Sequence, residues 1–289
     1  MRQFMPRPWT WSDWTQAWHS LLSSQGTRSR QPSAASARWA LDVALVVEGR
    51  RTATLFDAST LAWRECLAWD AWLEQQRLPV MLVLFEPARH VFLVHTKVLD
   101  TLQQHPPLFV DPAHATQTLD EPPESARVAL ALLQDAAQRS QRSMLLRSDA
   151  PHARLCGIAL CGWLLGYPVS YAVSHAPATF AAQALDRCDG RTWDTDVWFD
   201  DDSLPAGALS LLLVQAIVHM EVPGVSLPRN HLMMSFSIPT ALPNATDIAR
   251  AWQRRLTIPW GDGPTRLPFL EHATCEVRLS HVHQDHIAL

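Results

Sequence analysis

Two tyrosines, ten glycines and a single lysine, Lys97, stand in a chain of 289 residues. So few glycines leave little material for a phosphate-cradling loop, and neither G-x-G-x-x-G nor G-x-x-x-x-G-K occurs. G-x-S-x-G and H-E-x-x-H are also missing, which removes the nucleophile elbow and the zincin helix from consideration. Charged residues make up only 18%, against about 25% in an average globular chain, and 47% are hydrophobic, so extended disorder is excluded. The formal charge of -4 gives no general attraction to nucleic acid or an anionic membrane. The longest uncharged run, Leu155 to Leu185, is cut by Gly166-Tyr167-Pro168 after a dozen residues. That is short of the roughly 20 apolar residues a membrane span needs. No C-x-x-C joins Cys66, Cys156, Cys161, Cys188 and Cys275, and no signal peptide precedes them, so they read as reduced thiols of a cytosolic or nuclear protein. The Arg-rich, Ser-rich start, with Asp13 its one acid in the first 41 residues, also fits an organelle import segment.

What is present alternates. Thr10 or Ser12 caps a helix that carries Trp14, Ala17, Trp18, Leu21 and Leu22 on one face, the spacing of core anchors rather than of base-stacking rings. An exposed Ser/Arg-rich loop at 23–36 follows, then a helix from Ala37 to Glu48 stopped by Gly49. Strands are predicted at 52–57, 80–85, 91–95, 108–110, 144–147 and 168–173, with 80–85 and 91–95 joined through Pro87 as a hairpin. Helices are predicted from 59 or 60 to 76, and over 97–104, 124–139 and 151–165. The last is apolar on nearly all sides and so buried between layers. Residues 209–220, 233–238 and 275–282 read as strands, with a helix over 246–255. The pattern predicts one α/β domain over 1–289: a mixed, mainly parallel sheet with helices on both faces, and antiparallel strands toward the C-terminal half.

Three constellations could carry chemistry. His281-Val282-His283-Gln284-Asp285-His286 matches the H-x-H-x-D-H pattern of metallo-β-lactamase-fold hydrolases. In that fold the motif lies early and further ligands follow it. Here only Ile287, Ala288 and Leu289 remain, so no metal and no cofactor is assigned. Asp57, ending an apolar strand before Ala58-Ser59-Thr60, resembles the nucleophile of haloacid-dehalogenase-like phosphatases. Ser148, Lys97 and Asp200-Asp201-Asp202 could complete a Mg²⁺ site there. Two departures count against it: Ser59 stands where a second acid belongs, and Lys97 precedes Ser148 in the reverse of the family order. A helix cap is the plainer role of Asp57. Cys156 and Cys161, with His152 or His175, leave a cysteine-hydrolase reading open, but Cys156 lies more than a turn inside its helix, away from the dipole that activates cysteine, and apolar core packing is the plainer role of both.

Several segments in order are similar to one family. They are Ala40-Leu41-Asp42-Val43 leading through Gly49 to Leu55-Phe56-Asp57, then Leu164-Leu165-Gly166-Tyr167-Pro168-Val169, Phe236-Ser237-Ile238-Pro239 with Trp252 after it, and Ile287-Ala288-Leu289. Together they resemble the uncharacterised eukaryotic family typified by the human chromosome 1 open reading frame 74 protein. The resemblance implies a cytosolic or nuclear single-domain protein with no assigned activity. Two readings follow. The favoured one is a non-catalytic interaction or ligand-binding domain, whose partner is a protein or a small molecule and neither nucleic acid nor membrane. The alternative is a Mg²⁺-dependent hydrolase of a phosphorylated small molecule acting through Asp57. Asp57, Asp200 and Asp201 are the candidate binding residues.

Overall fold

A computed structural model describes residues 9–23, 34–56, 63–85, 90–111, 118–147, 157–172, 203–220, 230–257 and 267–288. Helix α1 (Trp11–Ser23) starts at the expected cap. Thr10 Oγ1 accepts the Asp13 amide at 3.1 Å and its hydroxyl donates to Asp13 Oδ2 at 2.7 Å, which satisfies one of the unpaired donors of the first turn. Helix α2 (Ala34–Val47) begins three residues before its predicted start, and its side chains from Val43 to Val47 are all buried. Gly49, at φ +68°, closes it. The Gly49 amide donates to Val46 O and the Arg50 amide to Leu45 O, both at 2.9 Å, the paired bonds of a left-handed helix terminus.

Four strands form the first sheet, in the order β1 (Ala53–Phe56), β3 (His90–His95), β2 (Val80–Phe85), β5 (Ser143–Leu146). The predicted hairpin is there, in register from Val80 opposite His95 to Phe85 opposite His90. The expectation of a mainly parallel sheet needs correction. Both β1 and β2 run antiparallel to β3, and only β5 is parallel to β2. The short connection between β2 and β3 allows only antiparallel pairing, whereas a parallel pair needs a long crossover. Such crossovers exist for β2 with β5 and for β4 (Leu108–Val110) with β6 (Val169–Tyr171), which form a separate two-stranded parallel sheet. Helices α4 (Leu99–Gln104), α5 (Glu124–Gln138) and α6 (Gly157–Leu164) lie within these crossovers, and α3 (Trp63–Gln75) lies between β1 and β2.

The C-terminal part is antiparallel, as expected. β7 (Ser203–His219) lies between β8 (His231–Pro239) and β9 (Thr274–Ala288), and α7 (Ala245–Leu256) connects β8 toward β9. β9 runs six residues past its predicted end, so the His281 to His286 string is strand backbone. Leu204 pairs with Ile287 and Ser203 with Ala288, which docks the chain end by main-chain bonding.

The pleat of β2 divides its side chains between two clusters. Val80 and Leu82 join Trp14, Trp18, Leu41, Val43 and Trp69 from the first three helices, together with the inward side chains of β7 and β8. Met81, Val83 and Phe85 join Leu102, Leu130, Leu133, Leu160 and Trp163 from α4, α5 and α6. Every side chain of α6 from Ile158 to Leu164 that carries a Cβ is buried, as predicted. Gly162 lets α6 close on β6: a Cβ there would lie 2.3 Å from Ser170 Oγ.

Candidate functional site

The buried stretch of α2 contains one charge, Asp42, in an otherwise apolar run from Trp39 to Val47. A carboxylate placed there needs partners, because an unpaired buried charge is costly. The turn at Gly49 returns Arg51 to it, and Arg51 Nη1 donates to Asp42 Oδ1 at 2.6 Å. His231, the first residue of β8 and 4% exposed, donates from Nε2 to the same oxygen at 3.0 Å. The cluster ties α2 to a strand 189 residues further along the chain. Arg51 and His231 thus share one carboxylate oxygen in an Asp–Arg–His tie.

Arg50 and Thr52, on either side of Arg51, face elsewhere. Thr52 Oγ1 donates to the Leu164 carbonyl at 2.7 Å, at the end of α6. That helix stops in a second left-handed turn: Gly166 has φ +71°, its amide donates to Trp163 O, and the Tyr167 amide donates to Gly162 O, both at 2.9 Å. The two turns touch so closely that a Cβ on Gly166 would sit 2.8 Å from Thr52 Oγ1. Between them and the ends of α4 and α7 lies a cleft of about 290 Å³. Its polar lining includes Arg50, Thr52, Thr101, His105 and Arg255. Leu102, Pro107, Trp163 and the Tyr167 ring supply the apolar wall. The Trp163 indole is fixed by donating Nε1–H to the Leu102 carbonyl at 2.9 Å. Among the described residues no Asp or Glu lines the cleft.

The Tyr167 ring stacks at a tilt on Phe236, with centroids 5.1 Å apart. Burial pushes its phenol above the ordinary tyrosine range, opposed in part by the Arg51 charge. Burial pushes Tyr171 up to about 12, opposed by its hydrogen bond with Ser237. Both phenols are therefore neutral in the fold at physiological pH. A raised folded pKa contributes stability that is fully present below the unfolded value of about 10 and is lost as pH climbs through the folded value. Because these are the only tyrosines, the 295 nm absorbance of tyrosinate should rise only above the ordinary tyrosine range, with Tyr171 titrating at about 12, together with the loss of far-UV ellipticity. A tyrosine titrating near pH 10 in folded protein would contradict the burial of one of the two rings.

Asp57, Asp200 and Asp201 lie outside the described residues, as do Asp202, Ser148, Cys156, His152 and His175. The strand that ends just before Asp57 is the sheet edge among the described residues and runs antiparallel to its neighbour. Lys97 stands in a 3-10 turn, Thr96–Val98. Cys161 is fully buried in α6, as the packing role predicts. His281 and His283 are exposed on β9. Among the described residues no three His, Cys, Asp or Glu side chains come together to hold a metal ion.

In the sequence Asp42 stands out only as part of a resemblance, and Gly49, Gly166 and Tyr167 only as a helix stop and the break in an apolar run, with none of them assigned to a site. The available signals were a lone acid in an apolar helix and two glycines at helix ends. No curated protein and no solved structure matches the chain. A family model described as a domain of unknown function, DUF4504, matches residues 20–258. The match takes in both turns, the Asp42 tie and Arg255, and the chain belongs to that family.

Proposed function

We propose that the chain is a non-catalytic intracellular domain that binds a small molecule in the cleft between the Gly49 and Gly166 turns. One observation carries the reading. The cleft combines a fixed aromatic wall with hydroxyls and cations, the mixture expected of a ligand pocket. Its hydroxyl nearest the turns, Thr52, is engaged by a helix carbonyl. With this go a single domain over the whole chain, helices on both faces of the four-stranded sheet, a cytosolic or nuclear location that keeps Cys161 reduced, and kinship with the eukaryotic family of the human chromosome 1 open reading frame 74 protein.

The full-length protein, labelled with ¹³C in its tyrosine rings, tests the reading against a mixed panel of small metabolites. At least one class should move the Tyr167 resonances and raise the melting temperature. Incubation with Mg²⁺ and p-nitrophenyl phosphate should give no turnover above buffer. Turnover that disappears in Asp57→Asn would overturn the non-catalytic reading and install the hydrolase with Asp200 and Asp201.

A further inference from the structure

We propose that His281 and His283 form half of a four-histidine zinc site, which a second copy of this chain completes by pairing antiparallel along the free edge of β9. The two histidines stand two apart on a strand, so their side chains share one face, roughly 6–7 Å apart. Both are exposed, and neither makes a hydrogen bond or ion pair among the described residues. Their neighbours across the ladder, Leu212 opposite His281 and Ser210 opposite His283, bring no cation to repel a metal ion. Two imidazoles fill half of the tetrahedral shell of a structural Zn²⁺. Among the described residues no third ligand of the same chain joins them, and no residue of β9 lines the cleft.

The backbone prepares the other half. Among the described residues β9 is an edge strand, paired with β7 on one side only. Two contacts fix which of its residues turn their main-chain groups outward. The Gln253 side chain on α7 donates to the Val277 carbonyl at 3.5 Å, so that carbonyl points away from β7. The Ser210 carbonyl accepts the Thr240 amide at 3.0 Å on the β8 side, so His283, opposite Ser210, also turns its amide and carbonyl to the free edge. By alternation Leu279, His281 and His283 all present N–H and C=O outward. α7 meets the edge at Val277, and the open stretch starts at Leu279. From Leu209 and Gln284 outward β7 has no β8 partner, and the two strands form a ribbon that is marginal by itself in water. An unpaired edge of this kind is a template for another strand.

The metal selects the register. With Val282 opposite its own copy, His281 of each chain faces His283 of the other in a pair that exchanges both main-chain hydrogen bonds, with Cα atoms about 5.5 Å apart. Four imidazoles then stand at the corners of a rectangle of roughly 5.5 by 6.7 Å on one face, around a single centre. A register centred on His281 instead would hold the two His283 side chains about 13 Å apart, too far to share an ion. The second copy thus supplies the ligands that His281-Val282-His283 lacks further along its own chain.

Untagged full-length protein titrated with ZnCl₂ and followed by sedimentation equilibrium tests the site. The chain should bind one zinc per two copies, the molar mass should double, and EDTA should restore the starting mass. His281→Gln and His283→Gln, both on exposed side chains, should melt with the parent in EDTA, and each should abolish the zinc-dependent doubling. Val282→Cys reads the register. Its thiol lies opposite its own copy in a pair with Cα atoms about 4.5 Å apart, within disulfide range. Oxidised glutathione should therefore cross-link the zinc-loaded variant and neither the parent nor the variant in EDTA. Zinc bound at one per chain with no change in mass overturns the shared site and leaves a simple chelate. Doubling that survives either histidine substitution or EDTA overturns the role of the metal. A zinc-dependent dimer that Val282→Cys does not cross-link overturns the register, and protein that retains no zinc at micromolar concentration overturns the proposal outright.

Discussion

Asp42→Ala should lower the unfolding free energy by about 3–5 kcal/mol, the range for removing one partner from a buried ion pair. The variant leaves Arg51, 9% exposed, and His231, 4% exposed, facing an apolar helix without their shared acceptor. Arg51 Nε is already buried without a partner among the described residues. The same cluster should tolerate wholesale apolar replacement. Asp42→Leu combined with Arg51→Met and His231→Leu removes three desolvation costs at once, and such replacements are commonly neutral or stabilising. Urea denaturation of the parent, the single variant and the triple variant decides the matter. If the triple variant unfolds as easily as Asp42→Ala, the polar contacts themselves hold α2 against β8, and packing around them does not.

Trp18→Ala should cost a similar amount, about 3–5 kcal/mol, by a different route. Trp18 is 1% exposed and stands at the centre of an aromatic cluster. Its ring centroid lies 5.5 Å from Trp14, 5.2 Å from Trp39, 5.5 Å from Trp69 and 4.8 Å from Trp72, each pair edge to face. Truncation opens a cavity that four indoles on three helices cannot fill without leaving their rotamers. Conservative variants separate volume from hydrogen bonding. Trp14 donates Nε1–H to the Ala40 carbonyl at 2.7 Å, whereas Trp18 Nε1 is buried without an acceptor among the described residues. Trp14→Phe loses a bond and Trp18→Phe loses a buried unpaired donor, so Trp14→Phe should melt lower. The reverse order would show that an acceptor for Trp18 exists in solution.

The helix faces and strand limits were legible because they follow local rules. Trp14 and Trp18 repeat at helical spacing, Val80 to Phe85 and Val91 to His95 form short apolar runs around Pro87, and the apolar residues before Gly166 left a buried helix as the simplest reading. Strand direction was not legible. Alternation of strands and helices pointed to parallel pairing, but β1 attaches to the far side of a hairpin, a choice made by tertiary packing. The ends of β7 and β9 were also missed, because polar side chains such as His281 and His283 do not reveal a strand that pairs by its backbone at the protein surface. The cleft was hidden for a similar reason. Arg50, His105 and Arg255 lie far apart in sequence, each at the end of a helix, where a cation is expected in any case.

The cluster around α2 draws Trp14, Leu41 and Val43 from the start of the chain and Val214, Phe236, Trp252 and Val277 from near its end. During synthesis at about 5–20 residues per second, α2 would emerge roughly ten to forty seconds before both β7 and β8 are complete. Contacts of such long sequence separation also slow folding after release, because loop closure precedes the packing that rewards it. For that interval the side of α2 that carries Asp42 lacks its β8 partner His231, while α1 and the first sheet can already cover the rest of the helix. Yield of soluble protein is therefore governed by how quickly residues 203–277 arrive, and pieces ending before β7 lack this partner permanently.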